Sequence, residues 1–190
     1  MADQTFTTVD WTKLPVPEDD GAARHLVGAR VPDVALPSSA GGDLELAKLA
    51  GRTVLFAYPM TGTPGVALPD GWDAIPGARG CTPHACAFRD LHADLGAAGA
   101  AHVFGISTQT LAEQQATVAR LHLPFPLLSD VALALANALK MPAMQVDGKT
   151  MLRRLALIID AGVIAHVFYP IFPPDRNAGD VLAWLEDNPR

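Results

Sequence analysis

Uninterrupted β-prone runs constrain this chain more than any other feature. Residues 53–58 read Thr-Val-Leu-Phe-Ala-Tyr between Gly51 and Pro59, with no polar alternation. A strand with one face in water alternates apolar and polar side chains, so an unbroken run belongs at the centre of a sheet covered on both faces. Residues 101–107 form a second such run, and residues 153–160, Gly162 and residues 163–169 read as two antiparallel strands around a tight turn. Helical patterns lie between and after them. Thr110-Leu111-Ala112-Glu113 is a capping box opening a helix to about Leu121, a short helix ends near Leu139 before Pro142, and residues 177–187 close the chain with Val181, Leu182, Trp184 and Leu185. Residues 31–46 alternate on either side of turn chemistry at 38–42, which predicts an N-terminal β-hairpin. The order indicates an α/β domain, a mixed central sheet with helices on both faces.

With 190 residues, 49% of them hydrophobic, the chain suffices for one well-cored domain. Residues 28–190 are assigned to it. Residues 1–27 are polar and punctuated by Pro15 and Pro17, an arm that Trp11 and Leu14 give reason to dock. The 14 basic and 20 acidic side chains leave a net charge of −6, without a basic cluster, so no nucleic-acid partner is expected. No apolar run reaches the roughly 18 residues of a membrane span, and no basic-then-apolar leader opens the sequence. A cytoplasmic protein is expected. The six histidines have no paired ligand spacing and no glycine-rich phosphate loop occurs, so neither metal nor cofactor is expected.

The two cysteines, Cys81 and Cys86, stand at the start of a predicted helix over residues 83–95. Phe88, Leu91, Leu95 and Ala98 form its apolar stripe, Thr82 before Pro83 is its start signal, and Gly96 and Gly99 are its stops. Cys81 then lies beside unpaired amides and the positive end of the helix dipole, which favour a thiolate, the nucleophilic form of cysteine. Projected onto the helix, Cys81 points inward with Phe88, whereas Cys86 is about 160° from Phe88 and points to solvent. If both were helical, their Cα atoms would lie about 8 to 9 Å apart, too far for a disulfide, so a bond between them requires the first turn to unwind. Two inert small hydrophobes are the bland alternative. His84 is expected to be a solvated first-turn side chain.

Gly80-Cys81-Thr82, Ala85-Cys86 and Phe88-Arg89-Asp90 resemble the peroxidatic segment of peroxiredoxins, specifically the peroxiredoxin-Q-like (bacterioferritin comigratory protein) subgroup. Phe125-Pro126-Leu127-Leu128-Ser129-Asp130 is similar to another family segment, and Arg154, six residues before Asp160, falls where the family has its catalytic arginine. The resemblance implies a thioredoxin fold and a thiol peroxidase: Cys81 attacks a hydroperoxide, becomes a sulfenic acid, and condenses with Cys86 to a disulfide that thioredoxin or a similar dithiol reduces. It implies that Pro59 and Thr63 belong to the family's P-x-x-x-T-x-x-C loop, with the Thr63 hydroxyl and Arg154 on the peroxide. Here Val66 stands where that pattern puts the cysteine, so residues 66–80, which carry Trp72 and Ile75, read as an insertion. Ala156 replaces the family's Thr. A monomer or homodimer is expected. The competing readings are a thioredoxin-fold redox sensor with a slow disulfide switch, and, more distantly, a cysteine acyl-transfer enzyme.

Overall fold

The structure, a computed structural model, describes residues 9–190. Its centre is a five-stranded sheet. Strand β3 (Arg52–Ala57) is buried along its whole length and runs parallel to β4 (Ala100–Ser107) and antiparallel to β8 (Leu155–Asp160). The outer positions belong to β5 (Leu127–Ser129), parallel to β4, and β9 (Val163–Phe168), antiparallel to β8. A small hairpin of β1 (Ala35–Pro37) and β2 (Asp43–Glu45) precedes them, as its alternation predicts.

The period of two in β3 divides its side chains between two cores. Leu55 and Ala57 join Leu157, Ile159 and Leu135 on one face, where Ala23 and Leu26 of the N-terminal segment and helix α4 (Ala134–Leu139) also pack. Val54, Phe56 and Tyr58 join Ala156 and Ile158 on the other, under helices α1 (Cys81–Asp90), α2 (His92–Ala97), α3 (Leu111–Leu121) and α5 (Asn177–Asp187). Ala156, fully buried there, is a packing residue. Both bonds of the Thr110–Glu113 capping box are present.

Three expectations need correction. The helix predicted over residues 83–95 starts at Cys81 and breaks at Leu91, where φ −98° and ψ 9° leave the helical range. Its N-cap is Gly80, at φ +103°, which turns the chain into the helix without a side-chain cap, so Thr82 is a buried helical residue rather than the cap. Residues 143–152, for which no strands are expected, form a further hairpin, β6 (Ala143–Val146) with β7 (Lys149–Leu152). Its signal is the Asp147-Gly148 turn, both residues at positive φ.

Candidate active site

Helix α1 packs Phe88 flat against Phe56 of β3, with ring centroids 4.3 Å apart, and this contact fixes the helix over the sheet. Cys81 is thereby brought to the end of β3 and β8, 3% exposed, in the first turn of the helix. Arg154, immediately before β8, is also 3% exposed and places its Nη2 3.2 Å from Cys81 Sγ. A buried guanidinium beside a buried sulfur, at a helix N-terminus, makes a site for an anion.

The arginine is held by groups the sequence does not advertise. Its Nη1 donates to His84 Nδ1 at 2.9 Å, and His84 Nε2 lies 2.9 Å from Asn177 Oδ1 at the start of α5. Arginine only donates, so Nδ1 must accept; the imidazole is neutral and its Nε2–H donates to Asn177. Burial, reinforced by the Arg154 charge, holds the His84 pKa well below the usual imidazole range. His84 is wholly buried, not the solvated side chain expected, because it lies one helical turn before Phe88 and shares the face that packs on Phe56. The Nη2 of Arg154 also reaches the carbonyls of Gly77, Ala78 and Arg79 at 3.2 to 3.3 Å.

Those carbonyls end the 66–80 segment, which is ordered rather than a loose excursion. Trp72 opens a single helical turn, Trp72–Ala74, and packs with Ala78, Val146 and Met151. A cavity of about 20 Å³ at Cys81 is bounded by this segment together with Met60, Gly62 and the first turn of α1. Thr82 lines it. Thr63 does not: it is exposed, and with the buried Pro59 it lines a separate groove of about 750 Å³, of which Met60 and Leu68 are the wall shared with the cysteine cavity.

Cys86 lies in the same helix, half-buried at the edge of the core, more sheltered than a solvent-facing residue, and both thiols are free. Burial pushes its pKa up, against the pull of Arg89, so it rests as a thiol. The N-terminal segment docks behind the site. Trp11 Nε1 donates to Asp175 Oδ2 at 2.9 Å, its ring meets Phe172 edge-on, and Asp20 accepts from Arg153 and Tyr169.

The redoxin family model matches residues 26–182. The chain belongs to that family. It is peroxiredoxin-Q-like: it is 28% identical over 180 residues to the chloroplastic peroxiredoxin Q of Triticum aestivum, covering 91% of this chain and 75% of that one. The corresponding protein of Oryza sativa subsp. japonica is 30% identical over 160 residues, 84% of this chain and 66% of that one. Among solved structures, the peroxidoxin BcpB of Mycobacterium tuberculosis superposes with a TM-score of 0.69 at 29% identity, covering 86% of this chain and 98% of that one. The fold is the thioredoxin fold of peroxiredoxins, and the protein is a thiol-dependent peroxidase, an oxidoreductase.

Proposed function

We propose that this redoxin reduces hydroperoxides through a two-cysteine cycle in which Cys81 is the peroxidatic residue and Cys86 the resolving one. The observation that carries the assignment is Arg154 Nη2 at 3.2 Å from the buried Sγ of Cys81. The Cys81 thiolate attacks one peroxide oxygen; the S–O bond forms as the O–O bond breaks, and the electron pair leaves on the outer oxygen, which takes a proton and departs as water or alcohol. Arg154 opposes the negative charge carried from sulfur to oxygen, in a site where few waters compete for its donors. The sulfenic acid then condenses with the Cys86 thiol, expelling water and forming a disulfide.

That last step requires α1 to open, since two helical residues five apart keep Cα atoms about 8 to 9 Å from each other, beyond disulfide reach. The disulfide is returned to two thiols by thioredoxin or a similar dithiol, and a transient catalytic pair of this kind suits a reducing compartment such as the cytoplasm. Treating the reduced protein with hydrogen peroxide and following thiols by mass spectrometry tests the cycle. The parent is expected to lose both thiols, Cys86→Ser to accumulate a trappable sulfenic acid, and Cys81→Ser not to react. Slow oxidation at the same rate in all three would refute the assignment.

A further inference from the structure

We propose that the 66–80 segment is a size filter, with Trp72 its deciding residue, which admits hydrogen peroxide to Cys81 and turns away hydroperoxides with a branched or aromatic carbon beside the peroxide. The inference rests on the peroxidase reading above. The cavity at Cys81 holds about 20 Å³. The depression is half open to solvent, and a single water needs roughly 10–15 Å³ of such space, so the two peroxide oxygens fit beside the sulfur while a branched or aromatic carbon next to them meets the rim that Leu68 and Trp72 help to form.

The walls are fixed rather than soft. Leu68, Trp72, Arg79 and Gly80 of the segment supply much of the boundary. Trp72 is 4% exposed and wedged among Ala78, Val146 and Met151, so it cannot swing aside without emptying that cluster. The far end of the segment is tied down through the carbonyls of residues 77–79, all on Arg154. Widening the cavity by moving the backbone would therefore disturb the arginine that the reaction uses. Space for a larger molecule exists close by, in the 750 Å³ groove, but Met60 and Leu68 stand between that groove and the sulfur. Truncating the wall should connect the two.

The test is the ratio of second-order rate constants for hydrogen peroxide over cumene hydroperoxide, from quenched-flow thiol titration of the reduced protein, normalised to the same ratio for free cysteine. In the parent we expect a ratio on the order of a hundred, since even one methylene against a hydrophobic pocket wall discriminates by about 10- to 200-fold. Trp72→Ala should lower it by about tenfold or more, and Leu68→Ala, whose half-buried side chain makes a smaller void, should lower it in the same direction. A normalised parent ratio within about threefold of one, or a ratio unmoved in both variants, would overturn the filter while leaving the peroxidase intact. A parent inert to both peroxides would instead remove the peroxidase reading on which the filter rests.

Discussion

Replacing His84 with Leu should damage both the stability of this protein and its response to acid, by amounts the geometry sets. The substitution keeps an apolar side chain against Phe56 and Phe88 but removes the acceptor of Arg154 Nη1 and the donor to Asn177 Oδ1. Each buried polar group left without a partner costs about 1–3 kcal/mol, the guanidinium at the upper end, so about 2–6 kcal/mol is expected at pH 7.5. A second effect has the opposite sign at lower pH. The native site holds His84 neutral, with a pKa well below the 6.5 of a free imidazole, so below about pH 6.5 the unfolded chain binds a proton that the folded chain does not. The parent then loses up to about 1.4 kcal/mol per pH unit from this group, and the leucine variant does not. The difference between the two should narrow by about 1 kcal/mol between pH 6.5 and 5.5, because the unfolded imidazole is already half protonated at pH 6.5. Urea denaturation at pH 7.5, 6.5 and 5.5 reads both quantities. A difference below about 0.5 kcal/mol at pH 7.5, or one that is flat with pH, would show that His84 is not the neutral acceptor that orients Arg154.

Two further substitutions test the surroundings of Cys81. Gly80→Ala puts a Cβ 2.7 Å from the Trp11 ring and 2.9 Å from Pro174 at φ +103°, whereas Gly28→Ala meets nothing within 4 Å at φ +80°. Backbone strain of about 1–2 kcal/mol is common to both, so urea denaturation should show Gly80→Ala costlier by a further about 1–3 kcal/mol, and equal costs would mean that the docked arm does not press on the N-cap. Arg154→Lys keeps the charge and loses the fork that reaches His84, the sulfur and three carbonyls together; stopped-flow oxidation by hydrogen peroxide should slow by about a hundredfold, and a loss under tenfold would place transition-state stabilisation elsewhere.

The sheet was legible because its signals are local and redundant. Residues 53–58 could only be a strand covered on both faces, and β3 is buried throughout. The closing helix and the Thr110 capping box carried their own periodicity and end signals. Cys81 and Arg154, which the structure brings within 3.2 Å of each other, were legible as a pair because the order of their segments matches a family. What escaped was what depends on contacts distant in sequence. His84 and Asn177 are 93 residues apart, and nothing in either neighbourhood announces a hydrogen bond between them. The left-handed Gly80 was visible only as one more glycine in a glycine-rich stretch, yet it decides where α1 begins. Thr63 was placed by motif arithmetic. Residues 66–80 separate it from Cys81, and the structure puts it on another groove.

Arg154 connects these features into one balance between a closed site and an open one. A single guanidinium holds the sulfur, the buried imidazole and the end of the 66–80 segment. In the proposed cycle, disulfide formation needs the first turn of α1 to unwind, which would withdraw Cys81 and His84 from that guanidinium together, since both lie in the turn. The arginine does not then lose every partner, because the carbonyls of Gly77 and Ala78 lie before the N-cap and can stay where they are. The 66–80 segment directly before α1 would therefore give the buried cation somewhere to remain in the proposed opening of the helix. The proposed opening then costs less than stranding a charge in the core would, and the proposed filter and resolving step draw on the same few hydrogen bonds.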